Sequence, residues 1–241
     1  MKLTNVIMQA RYWAILPAAG SGSRFGAETP KQYLTLLDKT VMQHSVDRIC
    51  QLPIQACVLA LNRHDQIAKT LNFAHPALLH WVTGGAERMD SVLAAMQYLQ
   101  PHAHQDDWVL VHDVARPCIL SSDLQLLLDS LSHDAVGGLL AVPVRDTLKR
   151  GQAGEVVETV PRDHLWQCQT PQMFRFGLLL QALQQAKARQ QQVTDEAGAI
   201  EQLGLPVKLV SGSSTNIKIT YPEDLGLAEA ILKSQISRPQ V

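Results

Sequence analysis

The chain is poor in the residues on which several chemistries depend. It has only four cysteines, Cys50, Cys57, Cys118 and Cys168, in 241 residues. No two of them form a C-x-x-C pair, and no cysteine–histidine spacing matches a zinc site, which removes dithiol redox chemistry and structural zinc from consideration. They read instead as buried free thiols of a reducing cytosol. Charge of one sign is also lacking. A formal net charge of −1 provides no global field for nucleic acid, so any polyanion must be met by local basic clusters. Long apolar runs are missing too. The longest, Ala135 to Val144, is far too short to cross a bilayer. Met1 to Arg11 lacks an apolar signal core with a small-residue cleavage site. A cytoplasmic protein is expected, in contact with neither membrane nor nucleic acid. No Gly-Lys pair occurs, which rules out the P-loop pattern G-x-x-x-x-G-K-[ST].

What is present suits an α/β fold. Hydrophobic residues make up 46% and charged residues 18%, enough for a sizeable core. Apolar runs of strand length at Tyr12–Leu16, Ala56–Leu61, Leu78–Val82 and Trp108–His112 alternate with helical periods. Thr40 reads as the cap of a helix with Val41, Met42, Val46, Ile49 and Cys50 on one face. A polar segment after Leu61, then Arg88–Leu99, read as further helices, and Ser121 or Ser122 as the cap of another. This alternation predicts an open, mostly parallel, doubly wound (Rossmann-like) sheet with helices on both faces. In such sheets ligands bind beyond the carboxyl ends of the strands, here the loops after Leu16, Val82 and His112.

The second half is less regular. Val136–Val144 reads as a buried strand, and the Gly-broken polar stretch Arg145–Arg162 as a hairpin projecting from the sheet. Phe174–Arg189 and Thr194–Leu203 read as helices, Val207–Val210 and Ile217–Thr220 as strands, and Glu223–Lys233 as a final helix after Pro222. The organisation expected is one domain over 1–241, with 145–162 as an arm and 234–241 as a frayed tail.

The chemistry concentrates in Leu16-Pro-Ala-Ala-Gly-Ser-Gly-Ser-Arg-Phe-Gly26, followed by Pro30-Lys31-Gln32. A buried strand running into small residues lets backbone N–H groups approach phosphate oxygens. Arg24 and Lys31 place two cations beside that loop, as a triphosphate requires. The dinucleotide fingerprint fails, because the third glycine comes one residue late and the second strand ends at Asn62-Arg63 with no acid. A plain strand-to-helix turn would explain the glycines but not the two cations.

The loop resembles the signature of sugar nucleotidyltransferases and related cytidylyltransferases. Further segments follow in order: Gly84-Gly-Ala-Glu-Arg-Met-Asp-Ser-Val92, Val111-His-Asp-Val-Ala-Arg-Pro117, Pro143-Val-Arg-Asp-Thr147, Arg162, Thr170-Pro-Gln172, Thr194-Asp-Glu196 and Asn216-Ile-Lys-Ile-Thr220. Together, from Trp13 to Leu232, they are similar to the 2-C-methyl-D-erythritol 4-phosphate cytidylyltransferases of the non-mevalonate isoprenoid pathway. The resemblance implies that Ala18, Ala19 and Gly20 line the nucleotide and that Arg24 and Lys31 stabilise the transition state. It puts Gly85, Arg88 and Ser91 around base and ribose, and Asp113 and Arg116 between nucleotide and acceptor. Thr147, Arg162, Thr170 and Lys218 would hold the methylerythritol phosphate. It further implies a homodimer joined through the arm. Ala86 and Val114 depart from the family pattern without removing a charged group.

Plainer readings stand beside these. Asp113 at a strand end suits a turn cap, Arg162 and Lys218 suit solvated surface, and Thr194-Asp195-Glu196 reads as a helix cap with acids in the first turn. His112 reads as a buried strand histidine rather than a general base. A phosphate monoester is already mostly dianionic at neutral pH, so the transfer needs charge neutralisation and alignment, not a base. Mg²⁺ on the phosphates is the cofactor expected, with no ligand assigned. A ribitol 5-phosphate cytidylyltransferase, or a non-catalytic nucleotide-binding protein on the same fold, is the alternative.

Overall fold

The computed structural model describes residues 10–20 and 29–237. Strand β1 (Tyr12–Ala18) is followed by a minute hairpin of β2 (Thr35–Leu36) and β3 (Lys39–Thr40). Then come α1 (Val41–Ile49), β4 (Ile54–Leu61), β5 (Leu79–Thr83), α2 (Arg88–Leu99), β6 (Trp108–Val111), α3 (Ser121–Leu131) and β7 (Gly137–Pro143). The remainder comprises β8 (Leu148–Gln152), β9 (Glu155–Val160), β10 (Trp166–Arg175), α4 (Phe176–Ala188), α5 (Glu196–Glu201), β11 (Lys208–Ser211) and α6 (Glu223–Ser237).

Seven strands form one sheet in the order β11-β7-β10-β6-β1-β4-β5. β1 pairs in parallel with β4 and β6, and β10 runs antiparallel to both β6 and β7. The sheet is thus mostly parallel, with β10 inserted in the opposite sense. The apolar run of β1 is buried on both faces, as a central parallel strand must be. Ala14, Leu16 and Ala18 join one core with Met42 and Val46 of α1 and Leu124 and Leu127 of α3. Trp13 and Ile15 join the opposite core with Val92 and Met96 of α2 and Leu179 of α4. Side chains alternating at period two therefore meet helices on both sides, which is the doubly wound arrangement.

Local signals account for most boundaries. Thr40 caps α1, its Oγ1 accepting from Gln43 N at 3.2 Å while Gln43 Oε1 accepts from Thr40 N at 2.9 Å. Neither Ser121 nor Ser122 caps α3; Leu120 occupies the cap position, and Ser121 Oγ accepts from Arg48 Nη1 at 2.8 Å. The polar stretch after β4 forms no α-helix, only short 3-10 turns at Ala68–Thr70 and Pro76–Leu78. α6 continues to Ser237, so Ser234–Ser237 is helical rather than frayed.

The main correction is β10. Its Gln-Thr-Pro-Gln centre does not look like a strand, since proline is normally absent from central strands. Pro171 lies inside the register shift between Cys168 and Gln172, where no ladder bond is required of it. Phe174 and Arg175 consequently end a strand, and the helix begins at Phe176. Among the described residues Ile217–Thr220 has no sheet partner; Ile219 N bonds instead to Ala115 O at 2.8 Å. That contact lays the segment across the loop after β6.

β8 and β9 form the expected hairpin, paired with each other and with no strand of the main sheet. Ala153 (φ 52°) and Gly154 (φ 86°) make its turn, the two positive dihedrals that a tight right-twisted hairpin demands. Its surface is exposed almost throughout.

Candidate functional site

A cleft of about 410 Å³ opens at the carboxyl ends of β1, β5 and β6, within the usual range for a small-molecule site. Ala19 and Gly20 form one wall, Gly85 to Ser91 a second, and Asp113 to Ala115 the floor, with Lys31 and Lys218 at the rim. The two glycines after β5 make this geometry possible. A Cβ on Gly84 would lie 2.6 Å from Ala19 Cβ, and one on Gly85 would lie 2.2 Å from Asp90 Cβ. Only glycine lets the β5 loop press against the β1 loop and then turn into α2. Ser91 Oγ accepts from Gly85 N at 3.2 Å and fixes that turn.

The floor is a chain of alternating charges. Arg88 donates through Nε to Asp113 Oδ1 at 2.9 Å, and through Nη1 and Nη2 to Glu196 Oε1 and Oε2 at 2.6 and 3.1 Å. Lys218 Nζ donates to Asp113 Oδ2 at 2.6 Å. Burial would push the Asp113 carboxyl up, but the charges of Arg88 and Lys218 outweigh it and hold Asp113 well below the usual carboxylate range. Burial likewise opposes the Arg88 charge, and Glu196 and Asp113 overcome it. Glu196 itself is raised, chiefly by burial and against the pull of Arg88.

Beneath this chain lies a neutral relay. Asp113 N donates to Thr170 Oγ1 at 3.0 Å, and Thr170 Oγ1 lies 3.1 Å from His112 Nδ1. His112 Nε2 lies 3.1 Å from Arg116 O. These partners assign one consistent direction: the threonine hydroxyl donates to Nδ1, and Nε2–H donates to the carbonyl. Arg116 Nη1 donates to Asn216 O at 2.6 Å, and Asn216 Nδ2 to Thr170 O at 2.9 Å. Thr170 and Asn216 thus couple β10 and the 216–220 segment to the floor of the cleft.

His112 is fully buried, as the sequence suggested, and burial pushes its pKa down to about 4. The unfolded chain binds that proton at about 6.5. His112 therefore contributes stability above pH 6.5 that is lost as pH falls from about 6.5 to 4, up to roughly 3 kcal/mol. The urea midpoint of the protein should fall across that window. In His112→Gln, whose amide can accept from Thr170 and donate to Arg116 O, this part of the decline should disappear. An unchanged pH profile in the variant would refute the assignment.

The structure brings together Ala18, Ala19, Gly20, Lys31, Gly85, Arg88, Ser91, Asp113 and Lys218 around one cleft. Thr170 and Arg116 stand behind it, tied to Asp113 and Asn216. Thr147 and Arg162 are exposed at the base of the hairpin, outside the cleft wall, where Arg162 Nη1 donates to Arg145 O. Arg24 lies outside the described residues. Among the described residues no group of three or more His, Cys, Asp or Glu side chains is placed to hold a metal ion. The sequence places Glu196 and Asn216 in motif segments but assigns neither a part in the site. The cap reading holds for Asp195, which accepts from Gly198 N at 2.9 Å. It misses Glu196, which turns inward; nothing local distinguishes the two acids.

A family model described as 2-C-methyl-D-erythritol 4-phosphate cytidylyltransferase matches residues 12–234. The chain is 48% identical over 232 residues to the protein of that name from Acinetobacter baylyi, covering 96% of this chain and 97% of the relative. It is 50% identical over 229 residues to that from Dechloromonas aromatica, covering 93% and 99%. Among solved structures, 4-diphosphocytidyl-2C-methyl-D-erythritol synthase is similar with a TM-score of 0.83 and 35% identity, covering 93% of this chain and 100% of that one. The Francisella tularensis 2-C-methyl-D-erythritol 4-phosphate cytidylyltransferase is similar with a TM-score of 0.80 and 32% identity, covering 92% and 100%.

Proposed function

The chain belongs to the 2-C-methyl-D-erythritol 4-phosphate cytidylyltransferase family, and we infer from its cleft how it performs that reaction. It transfers the cytidylyl group of CTP to 2-C-methyl-D-erythritol 4-phosphate. The products are 4-diphosphocytidyl-2-C-methyl-D-erythritol and pyrophosphate, in isoprenoid precursor biosynthesis. One observation carries the mechanism: Lys31, Arg88 and Lys218 converge on a cleft whose floor carboxylate, Asp113, is already saturated by cations. Such a site is built to gather anions.

An oxygen of the acceptor's dianionic phosphate attacks the α-phosphorus of CTP. A new P–O bond forms as the bond to the bridging α–β oxygen breaks, and pyrophosphate takes the electron pair. Ala18, Ala19 and Gly20 lie along the nucleotide, with Gly85, Arg88 and Ser91 at base and ribose. Arg24 and Lys31 meet the charge that develops at the α-phosphate. Asp113 holds Lys218 toward the acceptor, with Arg116 and Thr170 behind it. Thr147 and Arg162 complete the acceptor site from the hairpin of a second copy. His112 serves no base function, being neutral and enclosed by two hydrogen bonds.

Among the described residues, Asp113 and Glu87 are the carboxylates along the cleft. That set suits Mg²⁺, which takes one or two carboxylates and otherwise relies on substrate phosphates. Both oxygens of Asp113 are engaged by Arg88 and Lys218, so Glu87 would hold the ion together with the substrate's own phosphates, and the ion would supply charge neutralisation on the triphosphate. EDTA should therefore abolish pyrophosphate release from CTP plus acceptor, and excess Mg²⁺ should restore it. Stoichiometric zinc in metal analysis of active enzyme would contradict this. Across a panel of polyol phosphates, 2-C-methyl-D-erythritol 4-phosphate should give the highest kcat/KM; ribitol 5-phosphate as the better acceptor would overturn the assignment. Among the described residues no helix is long and apolar enough to cross a membrane, and the cytoplasm is the compartment we assign.

A further inference from the structure

Arg88 reaches the cleft, yet the carboxylate that grips it most closely does not line it. We propose that Glu196 is a positioning residue for the nucleotide, holding the Arg88 guanidinium in one plane and orientation so that a remaining N–H faces the bound CTP. This rests on the reading of the cleft as the nucleotide site.

The geometry is specific. A guanidinium has five N–H donors in a rigid fork. Glu196 takes one from each terminal nitrogen, at 2.6 and 3.1 Å, and Asp113 takes Nε–H at 2.9 Å. One N–H on each terminal nitrogen is left, the two on opposite edges of the fork, each in a direction set by the other three bonds. Bidentate pairing fixes both angle and distance, which a single contact cannot do.

Glu196 is mounted to hold still. It opens α5, whose Ala197, Ala199 and Ile200 are packed in the core. Gln172 of β10 clamps that turn, donating to Asp195 Oδ2 at 2.9 Å and accepting from Ala197 N at 2.8 Å. The position of Arg88 is thereby referred to a strand of the central sheet. Stability alone is a poor reason for this arrangement, because a buried ion pair rarely outperforms packed apolar side chains of similar volume. With Glu196 neutral, Arg88 would keep Asp113 as its only anionic partner and could rotate about that contact.

The test is a double-mutant cycle on the purified enzyme, with pyrophosphate release and thermal melting as readouts. Glu196→Gln keeps the side chain's shape. It should lower kcat/KM for CTP on the order of 10–100-fold, the cost of a small misplacement of a binding group. The KM for the acceptor should change little, whereas the melting temperature should fall, since Arg88 loses one partner of a buried ion pair. In an Arg88→Ala background, or Arg88→Lys if the alanine variant does not fold, Glu196→Gln should add no further loss. Full kcat/KM for CTP in Glu196→Gln, or a loss that multiplies with that of the Arg88 variant, would overturn the proposal. Full activity of the Arg88 variant itself would overturn the nucleotide reading and the proposal with it, so the two failures are distinguishable.

Discussion

Lys31→Ala should lose roughly 10²–10³-fold in kcat, the usual cost of removing one group that stabilises transition-state charge, while CTP binding changes only several-fold. Lys31 begins a short 3-10 turn, Lys31–Tyr33, that is firmly seated. Gln32 Nε2 donates to Ala18 O at 3.3 Å, and the Tyr33 hydroxyl bonds to Asp65. The lysine stem therefore starts from a fixed point beside the β1 loop and ends in the cleft, where Nζ donates to Ile219 O at 2.6 Å. Ile219 is the neighbour of Lys218, and both lysines line the cleft. A charge so placed matters most as negative charge redistributes at the α-phosphate, less in the ground state, and the effect belongs in kcat. Lys31→Arg should recover part of the loss, since it restores the charge with a different shape. Steady-state pyrophosphate release with calorimetric CTP binding separates the two quantities. Near-normal turnover in a folded alanine variant would remove Lys31 from the mechanism.

How much of this could be read from the chain depended on whether the signal was local. The apolar runs of β1, β4 and β6 are buried on both faces and announce themselves as continuous hydrophobic segments. The Thr40 cap and the helix over Arg88–Leu99 needed only neighbours three or four residues away. β10 was illegible because its role depends on partners far off in sequence. Gln169 and Gln172 look like surface residues, yet both are buried, and each is satisfied by side chains or backbone more than twenty residues away. Glu196 was hidden for the same reason, with its partner 108 residues distant. Asn216 is buried beneath the cleft through bonds to Gln169 and Thr170 that no periodicity encodes. Hydrophobic pattern thus reveals the frame of the site, whereas the polar groups that hold its charged residues in place are legible only once the frame is folded.

At acceptor concentrations far below the raised KM of Arg162→Ala, where Lys31→Ala and Arg162→Ala each turn over little, mixing the two should restore about a quarter of wild-type activity, because random exchange within a twofold dimer makes half the dimers mixed, each with one intact site of two. The basis is a mismatch within a single chain. Lys31 lines the cleft, while Arg162 and Thr147 are exposed at the base of the hairpin, outside its wall. The hairpin is itself incomplete. Among the described residues β8 and β9 pair only with each other, and Val156 and Val157 are 64% and 58% exposed. Adjacent strand residues point to opposite faces, so both faces of β9 present an uncovered valine. A lone two-stranded hairpin is marginal in water, and a second copy seated on it would cover those faces and carry Arg162 to the acceptor phosphate in its partner's cleft. In a mixed dimer one cleft then lacks Lys31 and faces the mutated arm, while the other keeps Lys31 and receives an intact Arg162. Arg162→Ala alone should raise the KM for the acceptor far more than that for CTP. If each chain were self-sufficient, the mixture would stay inactive. Absence of rescue after subunit exchange has been verified by mass would refute the shared site, and full activity of a monomer at assay concentration would refute the dimer itself.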